Sequence, residues 1–277
     1  MHRKTICFIG GGNMAEAIVA KMVSGDWSSE DIHVIDHNAD KLERLKSTYG
    51  VHTHLEPGSW LAELDAVVLA TKPQQLPQAI ASIKEWIEDA LVISIAAGVR
   101  VEDLAQMIGH HCICRTMPNT PMKIGRGVCG LYATKEAEPD HRFIVRVFAA
   151  CGDLIWCEKE EELEGITAVS GSGPAYVFRF IEALMQGAQN YGFNDAQARR
   201  IAVATVLGAA ELAKQSGEAP GLLREKVTSK GGTTYEALKV MEDEHFMQMM
   251  QRAMDACRKR AIELGDAFHE KVENSQK

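Results

Sequence analysis

Apolar positions in the first 160 residues gather into short runs at 5–9, 32–35, 66–70, 91–95 and 113–116, rich in Ile, Val and Leu. Runs of this length that do not alternate with polar residues predict strands buried on both faces, the environment of a parallel sheet. Amphipathic helical patterns fill most of the gaps between them. The expected architecture is a doubly wound α/β layout of the Rossmann type.

From Gly165 onward the rhythm changes to long helical periods, predicted over 174–191, 195–215, 220–227, 233–241 and 245–265 and separated by Gly, Pro and Thr. Pro174 suits a first helical position, and Asn194 or Asp195 suits the next helix start. The expected division is therefore a dinucleotide-binding domain at 1–164 and an all-helical, substrate-binding and dimerisation domain at 165–277. Ala198, Ile201, Ala202, Thr205, Gly208, Ala209 and Leu212 form a stripe of mostly small residues, while Phe246, Met249, Met250, Ala253, Cys257 and Leu264 share a face of the last helix. Two readings of these faces stand side by side, a core within the chain and a subunit interface. The tail after Ala267 is expected to fray.

Composition narrows the partners. With 46% apolar residues in 277, the chain can bury a sizeable core, and its net charge of −8 leaves no electrostatic footprint for nucleic acid or an anionic membrane. Small molecules and copies of itself are the expected partners. His2, Arg3 and Lys4 precede an apolar stretch, but glycines cut it off after Ile9, well short of the roughly 7 to 15 residues of a signal core. No run reaches the ~18 apolar residues of a membrane span, so a cytoplasmic protein is expected. The seven cysteines are read as reduced, buried thiols, and His110, His111, Cys112 and Cys114 lack a second Cys/His pair at metal-ligand spacing, so no metal is expected.

Gly10, Gly12 and Ala15 spell GxGxxA, with Asn13 and Met14 inside the motif, directly after the first strand and at the start of a helix that runs through Ile18, Val19, Met22 and Val23. Glycines there let backbone N–H groups approach a pyrophosphate at the positive end of a helix, so these residues are assigned to a dinucleotide. Asp36 ends the second strand, where an acid accepts from an adenosine ribose hydroxyl and repels a 2′-phosphate; taken alone, it points to NAD rather than NADP. Its other reading is a helix cap, and His37, Lys41 and Arg44 stand nearby. Ala70, Thr71, Lys72 and Pro73, and the small wall of Ala96, Ala97 and Gly98, each leave a sheet strand at the edge where open α/β sheets bind ligands. For Lys72 a surface salt bridge is the competing reading. RTMPNTP, residues 115–121, presents Asn119 as a pocket wall or builds a rigid turn.

TSKGGTT, residues 228–234, is a polar loop opening a helix. Its N–H groups around Gly231 and Gly232 suit an anion nest, and a simple capping loop is the alternative. Alcohol dehydrogenases need a base for the hydroxyl proton, often Lys or His, and the predicted helix 174–191 has neither. That weighs against a 3-hydroxyacid dehydrogenase, and a dinucleotide sensor would have no use for TSKGGTT. A C=N bond is less demanding, because a protonated iminium is already electrophilic.

With FIGGGNMAEAI, ATKPQ, RTMPNTP, GSGPAY and VTSKGGTTYEAL in order, the chain resembles the pyrroline-5-carboxylate reductase family from residue 4 to about 265. The resemblance implies a Rossmann domain followed by a helical domain that interlocks with a second subunit, commonly in a decamer of five dimers. It implies reduction of 1-pyrroline-5-carboxylate to L-proline with NADPH or NADH. It also implies that amides of Ser229, Gly232, Thr233 and Thr234, with Gly231 in the same loop, hold the substrate carboxylate, and that the Thr234 hydroxyl acts on the ring nitrogen. Lys230 stands where many members have Pro, and Asp36 where the family usually has a small neutral residue.

Overall fold

The computed structural model describes residues 4–274; His2 and Arg3, the basic residues ahead of the first strand, lie outside them. The elements run β1 (Ile6–Ile9), α1 (Asn13–Ser24), β2 (Ile32–Ile35), α2 (Ala39–Tyr49), β3 (His52–His54), β4 (Ala66–Leu69), α3 (Leu76–Ala81), β5 (Leu91–Ser94), α4 (Val101–Ile108), β6 (Ile113–Pro118), β7 (Gly127–Ala133), α5 (His141–Phe148), β8 (Gly152–Trp156) and α6 (Glu162–Ile166). Five helices follow: α7 (Gly173–Asn190), α8 (Asp195–Ser216), α9 (Pro220–Lys226), α10 (Thr233–Asp243) and α11 (Phe246–Asn274). The described residues fall into two compact units, one formed by residues up to 172 together with those from 257 on, the other by residues 173–256. The boundary expected at 164/165 thus differs from this division, in which the end of the chain returns to unit one.

Unit one is an eight-stranded sheet in the order β3-β2-β1-β4-β5-β6-β7-β8, parallel throughout except where β7 runs against β6. All four residues of β1, β4 and β5 are buried. That is why these strands are continuous apolar runs: each pleat has helices over both faces, and either side chain parity meets a core. One core lies under α1, α2 and α5 around Phe8, Ile18, Met22 and Phe148. The other lies under α3 and α4 around Leu69, Ile80, Val92 and Leu104.

The five predicted strands are present, and three more are not visible in the apolar pattern. β3, His-Thr-His, is a short polar edge. In β7, two glycines interrupt the pattern where neighbours crowd the strand: a Cβ on Gly127 would collide with Met122, and one on Gly130 would stand 2.9 Å from Ile166 and 3.0 Å from Leu163 of α6. β8 is an edge strand with no buried residue.

Instead of fraying after Ala267, α11 continues as helix through Asn274. Phe268 and Val272, one turn apart, are 9% and 5% exposed and join the second core. Arg100 pairs with Asp266, and His269 Nδ1 lies 2.6 Å from the fully buried Asp103 carboxylate. The hydrogen bond and charge of Asp103 raise the His269 pKa above its ordinary value. A raised folded-state value means that the protonated His269 stabilises unit one fully below about 6.5, and that this contribution is lost as pH rises through the raised pKa. Urea denaturation of the wild type is expected to show stability falling from pH 6 upward through that range, and His269→Gln to remove this component of the slope. Superimposable pH profiles would mean the pair contributes nothing.

Unit two is helical. α8 begins with a reciprocal capping box in which the Asn194 side chain accepts from the Gln197 N–H and the Gln197 side chain accepts from the Asn194 N–H. Of its apolar side chains only Ala188, Ala198 and Ala202 are buried, where α7 and α8 pack together; α9 and α10 bury none. The small-residue stripe is therefore split. Ala198 and Ala202 serve the chain's own packing, while Ile201 and Leu212 remain exposed, as do Phe178, Phe180, Val240 and Met249. No helix among the described residues is long and apolar enough to cross a membrane.

Candidate active site

Unit one collects three loops at the carboxyl edge of its sheet. Leaving β1, the chain turns at Gly10 with φ +106°, and a Cβ there would stand 3.0 Å from the Ala70 carbonyl oxygen and 3.1 Å from the Thr71 methyl. Only glycine combines that backbone with that approach. The Gly10 N–H donates to the Ile35 carbonyl at 2.7 Å and the Ala70 N–H to the Ile9 carbonyl at 2.9 Å, so the ends of β2, β1 and β4 are tied at one point. Gly12 is the N-cap of α1; no side chain caps this helix, and nothing lies within 4 Å of the position a Gly12 Cβ would take. The first-turn amides of Asn13, Met14 and Ala15 have no intrahelical acceptor and no capping side chain, at the positive end of a 12-residue helix. Beside them, Thr71 Oγ1 is buried without a hydrogen-bond partner. An uncapped amide turn, a glycine-shaped opening and an orphaned hydroxyl fit a dinucleotide pyrophosphate.

Asp36 adopts a different arrangement from an open ribose acceptor. Its side chain is 4% exposed, with Oδ2 accepting from the Gly11 N–H at 2.8 Å and from Lys41 Nζ at 3.2 Å, and Oδ1 from the Asn38 N–H at 2.9 Å. Burial alone would raise its pKa, but the Asn38 and Gly11 N–H groups and Lys41 outweigh it and hold the carboxyl below its ordinary value. The helix-cap function falls instead to Asn38, whose side chain accepts from the Lys41 N–H at 3.0 Å.

Pro73, Ala97 and Gly98 line one cavity of about 300 Å³, closed on another side by Leu264, Phe268 and Val272 of α11. α11 comes close at this point because it too has a glycine: a Cβ on Gly265 would stand 3.0 Å from the Gly98 carbonyl oxygen. Lys72 is exposed, and Ala70 is half-buried at the end of β4. Asn119 is 7% exposed and engaged within the protein, its Nδ2 donating to Ser170 O and Oγ at 3.1 and 3.0 Å and its Oδ1 accepting from the Val128 N–H at 2.9 Å. It joins the loop after β6 to a π-helical turn at Thr167–Gly171, which the sequence reading passed over although GSGPAY begins there. Also unanticipated is buried Arg115, held by Glu160 at 2.8 Å and Glu164 at 3.0 Å.

In unit two, the 228–234 loop leads into α10. Gly231 is left-handed at φ +70°, Gly232 is the N-cap, and no side chain caps the helix. The Gly232 N–H, which the resemblance assigns to the substrate carboxylate, donates to the Ser229 carbonyl at 2.9 Å and so closes the turn. Thr233 and Thr234 open the first turn of α10, where N–H groups have no intrahelical acceptor; both are exposed, as are Ser229 and Lys230. The segment therefore ends at the positive end of the α10 dipole with first-turn N–H groups that no side chain caps.

Two family models match the chain, one for "NADP oxidoreductase coenzyme F420-dependent" proteins over residues 5–98 and one for "Pyrroline-5-carboxylate reductase dimerisation" over residues 160–264. A pyrroline-5-carboxylate reductase of Haemophilus influenzae is 36% identical over 272 residues, covering 97% of this chain and 100% of its own. Among solved structures, the pyrroline-5-carboxylate reductase of Coxiella burnetii superimposes with a TM-score of 0.89 at 36% identity, over 95% of this chain and 99% of its own. The Plasmodium falciparum pyrroline carboxylate reductase, solved with NADP bound, gives a TM-score of 0.84 at 25% identity, over 96% and 99%. With near-complete coverage on both sides and the dimerisation segment matched, the chain belongs to the pyrroline-5-carboxylate reductase family.

Proposed function

We infer that the chain reduces the C=N bond of 1-pyrroline-5-carboxylate to give L-proline, the last step of proline biosynthesis, using NADPH and, as a second donor, NADH. The observation that carries this reading is the 228–234 segment: two consecutive glycines lead into an uncapped helix of unit two that opens with Thr233 and Thr234, in a chain that also has an uncapped glycine turn for a dinucleotide. When bound, the dinucleotide supplies a hydride. Gly10, Gly12, Asn13 and Met14 hold its pyrophosphate, and Thr71 offers the orphaned hydroxyl. Pro73, Ala97 and Gly98, which line one cavity, would border its nicotinamide half with Ala70 and Lys72 of the same loop as Pro73, and Asn119 would stand at that half, fixed by Ser170 and Val128.

The substrate carboxylate rests on the amides of Thr233 and Thr234, with Ser229 and the Gly231–Gly232 turn shaping the nest and Lys230 adding positive charge at its rim. Protonated pyrroline nitrogen is cationic. A neutral hydroxyl suits it, because a lysine there would repel the charge that activates the adjacent carbon. Hydride arriving at that carbon sends the C=N electron pair to nitrogen, giving a neutral secondary amine that takes its second proton from solvent. Thr234 Oγ1 accepts from the iminium N–H beforehand and donates to the new lone pair afterwards.

Unit two fits a chain that works as part of a dimer-built oligomer, a ring of five dimers being the arrangement that the resemblance implies. An exposed apolar groove of about 620 Å³ lined by Val177, Phe180, Val206, Phe246, Met249 and Met250 runs along it. The seven unpaired cysteines suit a reducing cytoplasm.

Consumption of NADPH with pyrroline-5-carboxylate, followed at 340 nm with proline as product, tests the activity; no turnover would refute it. In Thr234→Val, kcat is expected to fall roughly 10- to 1,000-fold with a smaller change in KM, since the hydroxyl contact strengthens as charge shifts on nitrogen. A near-wild-type kcat would reduce Thr234 to a loop residue. Phe180→Asp, at a site already 45% exposed in the single chain, is expected to give an inactive monomer by light scattering. A fully active monomer would remove the dependence on a partner.

A further inference from the structure

We propose that Lys41, held by Asp36, receives the 2′-phosphate of NADPH, and that Asp36 is a positioning residue rather than the acceptor of a ribose hydroxyl. The proposal rests on the reading of the Gly10–Met14 turn as the dinucleotide site. An acid at the end of β2 is ordinarily expected to select against a 2′-phosphate. Here the acid is turned inward, and its charge is no longer what the site presents.

Three donors converge on the Asp36 carboxylate: the Gly11 N–H at 2.8 Å, the Asn38 N–H at 2.9 Å and the Lys41 ammonium at 3.2 Å. With the Asp36 side chain 4% exposed, a ribose hydroxyl reaches it only after Lys41 is displaced. Lys41 itself is 39% exposed, and an ammonium that spends one N–H on Asp36 has two left to donate. Lys41 also sits in the first turn of α2, its own N–H capped by Asn38, so the helix dipole adds to the attraction for an anion. Arg44, the other permanent cation nearby, is held by Glu16 through two bonds of 2.5 and 2.7 Å. His37 is 85% exposed with Nδ1 3.6 Å from Asp36, and Asp40, also exposed, is the remaining acid of this turn. Asp36 and Lys41 cancel in charge while standing at different depths, so the positive member faces outward.

The arrangement also links recognition to the glycine turn. The same Asp36 oxygen that accepts from Lys41 accepts from Gly11, one residue from the N-cap that opens α1. Asp36 thereby fixes the turn and the ammonium relative to each other, and a dinucleotide would touch both.

Titration calorimetry of the full chain with 2′,5′-ADP and with 5′-ADP reads the 2′-phosphate without depending on turnover. The wild type is expected to bind 2′,5′-ADP the more tightly. Lys41→Met is expected to weaken 2′,5′-ADP about tenfold, the scale of one partly screened contact between an ammonium and a phosphate, and to leave 5′-ADP within about twofold. Lys41→Arg should keep most of the preference. An unchanged preference in Lys41→Met overturns the proposal, and so does equal weakening of both ligands, which would make Lys41 a structural residue. If the wild type binds neither nucleotide, the assignment of the Gly10–Met14 turn fails and the proposal falls with it.

Discussion

The turn at Gly10 is the constraint on which unit one's candidate site depends. β1 lies between β2 and β4, fully buried, and its chain must leave the sheet without obstructing the ends of its neighbours. It does so with a left-handed residue packed against the Ala70 carbonyl, and its N–H is bonded to the last residue of β2. A side chain at Gly10 would push β1 from β4 and lift the start of α1 away from Thr71. Parallel register thus delivers three loops to one edge, and the glycine allows them to stay close enough for a single extended ligand to span them.

Unit two has the opposite difficulty, since it lacks the means to bury its apolar residues alone. Within 173–256 the buried apolar side chains are three alanines, while Phe178, Val240 and Met247 are 60%, 61% and 75% exposed. Hydrophobic burial is the dominant favourable term in folding, so helices that bury almost nothing in one chain need another surface to cover them. The match of residues 160–264 to a dimerisation model supplies the kind of surface required. The exposed 228–234 segment, with little packing around it, is shaped locally by the Gly232 to Ser229 bond and the start of α10.

How much of this is legible in the sequence follows the same physics. Strands covered on both faces, such as Ala66–Leu69 and Leu91–Ser94, show as apolar runs because every position is buried. Edge strands and strands under a close-packed helix carry no such signal, which is why β3, β7 and β8 escape the pattern. The order at the end of α11 was available from Phe268 and Val272, spaced four apart, yet the charged residues between them hid it. GxGxxA and TSKGGTT are legible because they specify backbone conformation. Asp36 is the reverse case: its position is readable, but the direction of its carboxylate depends on Gly11, Asn38 and Lys41 together, and no spacing rule contains that. Asn119 is similar, a polar residue in a promising loop whose three hydrogen bonds are all internal.

The helix starts differ in how their free amides are met. Where α2 and α8 begin, asparagine side chains occupy the free amides. At α4, Glu160 reaches across to the Val101 N–H at 2.8 Å and closes that end. At α1 and α10 the N-cap is glycine, and no side chain fills the position. A glycine N-cap forgoes only a few tenths of a kcal/mol relative to asparagine or serine, and in exchange leaves directed N–H groups backed by the helix dipole. Anion recognition placed in the backbone needs no cluster of lysine or arginine, so it is compatible with a chain of net charge −8. The proposed reading follows the same economy at the pyrroline nitrogen, the one cationic atom of the reaction, by assigning it a threonine hydroxyl rather than a lysine.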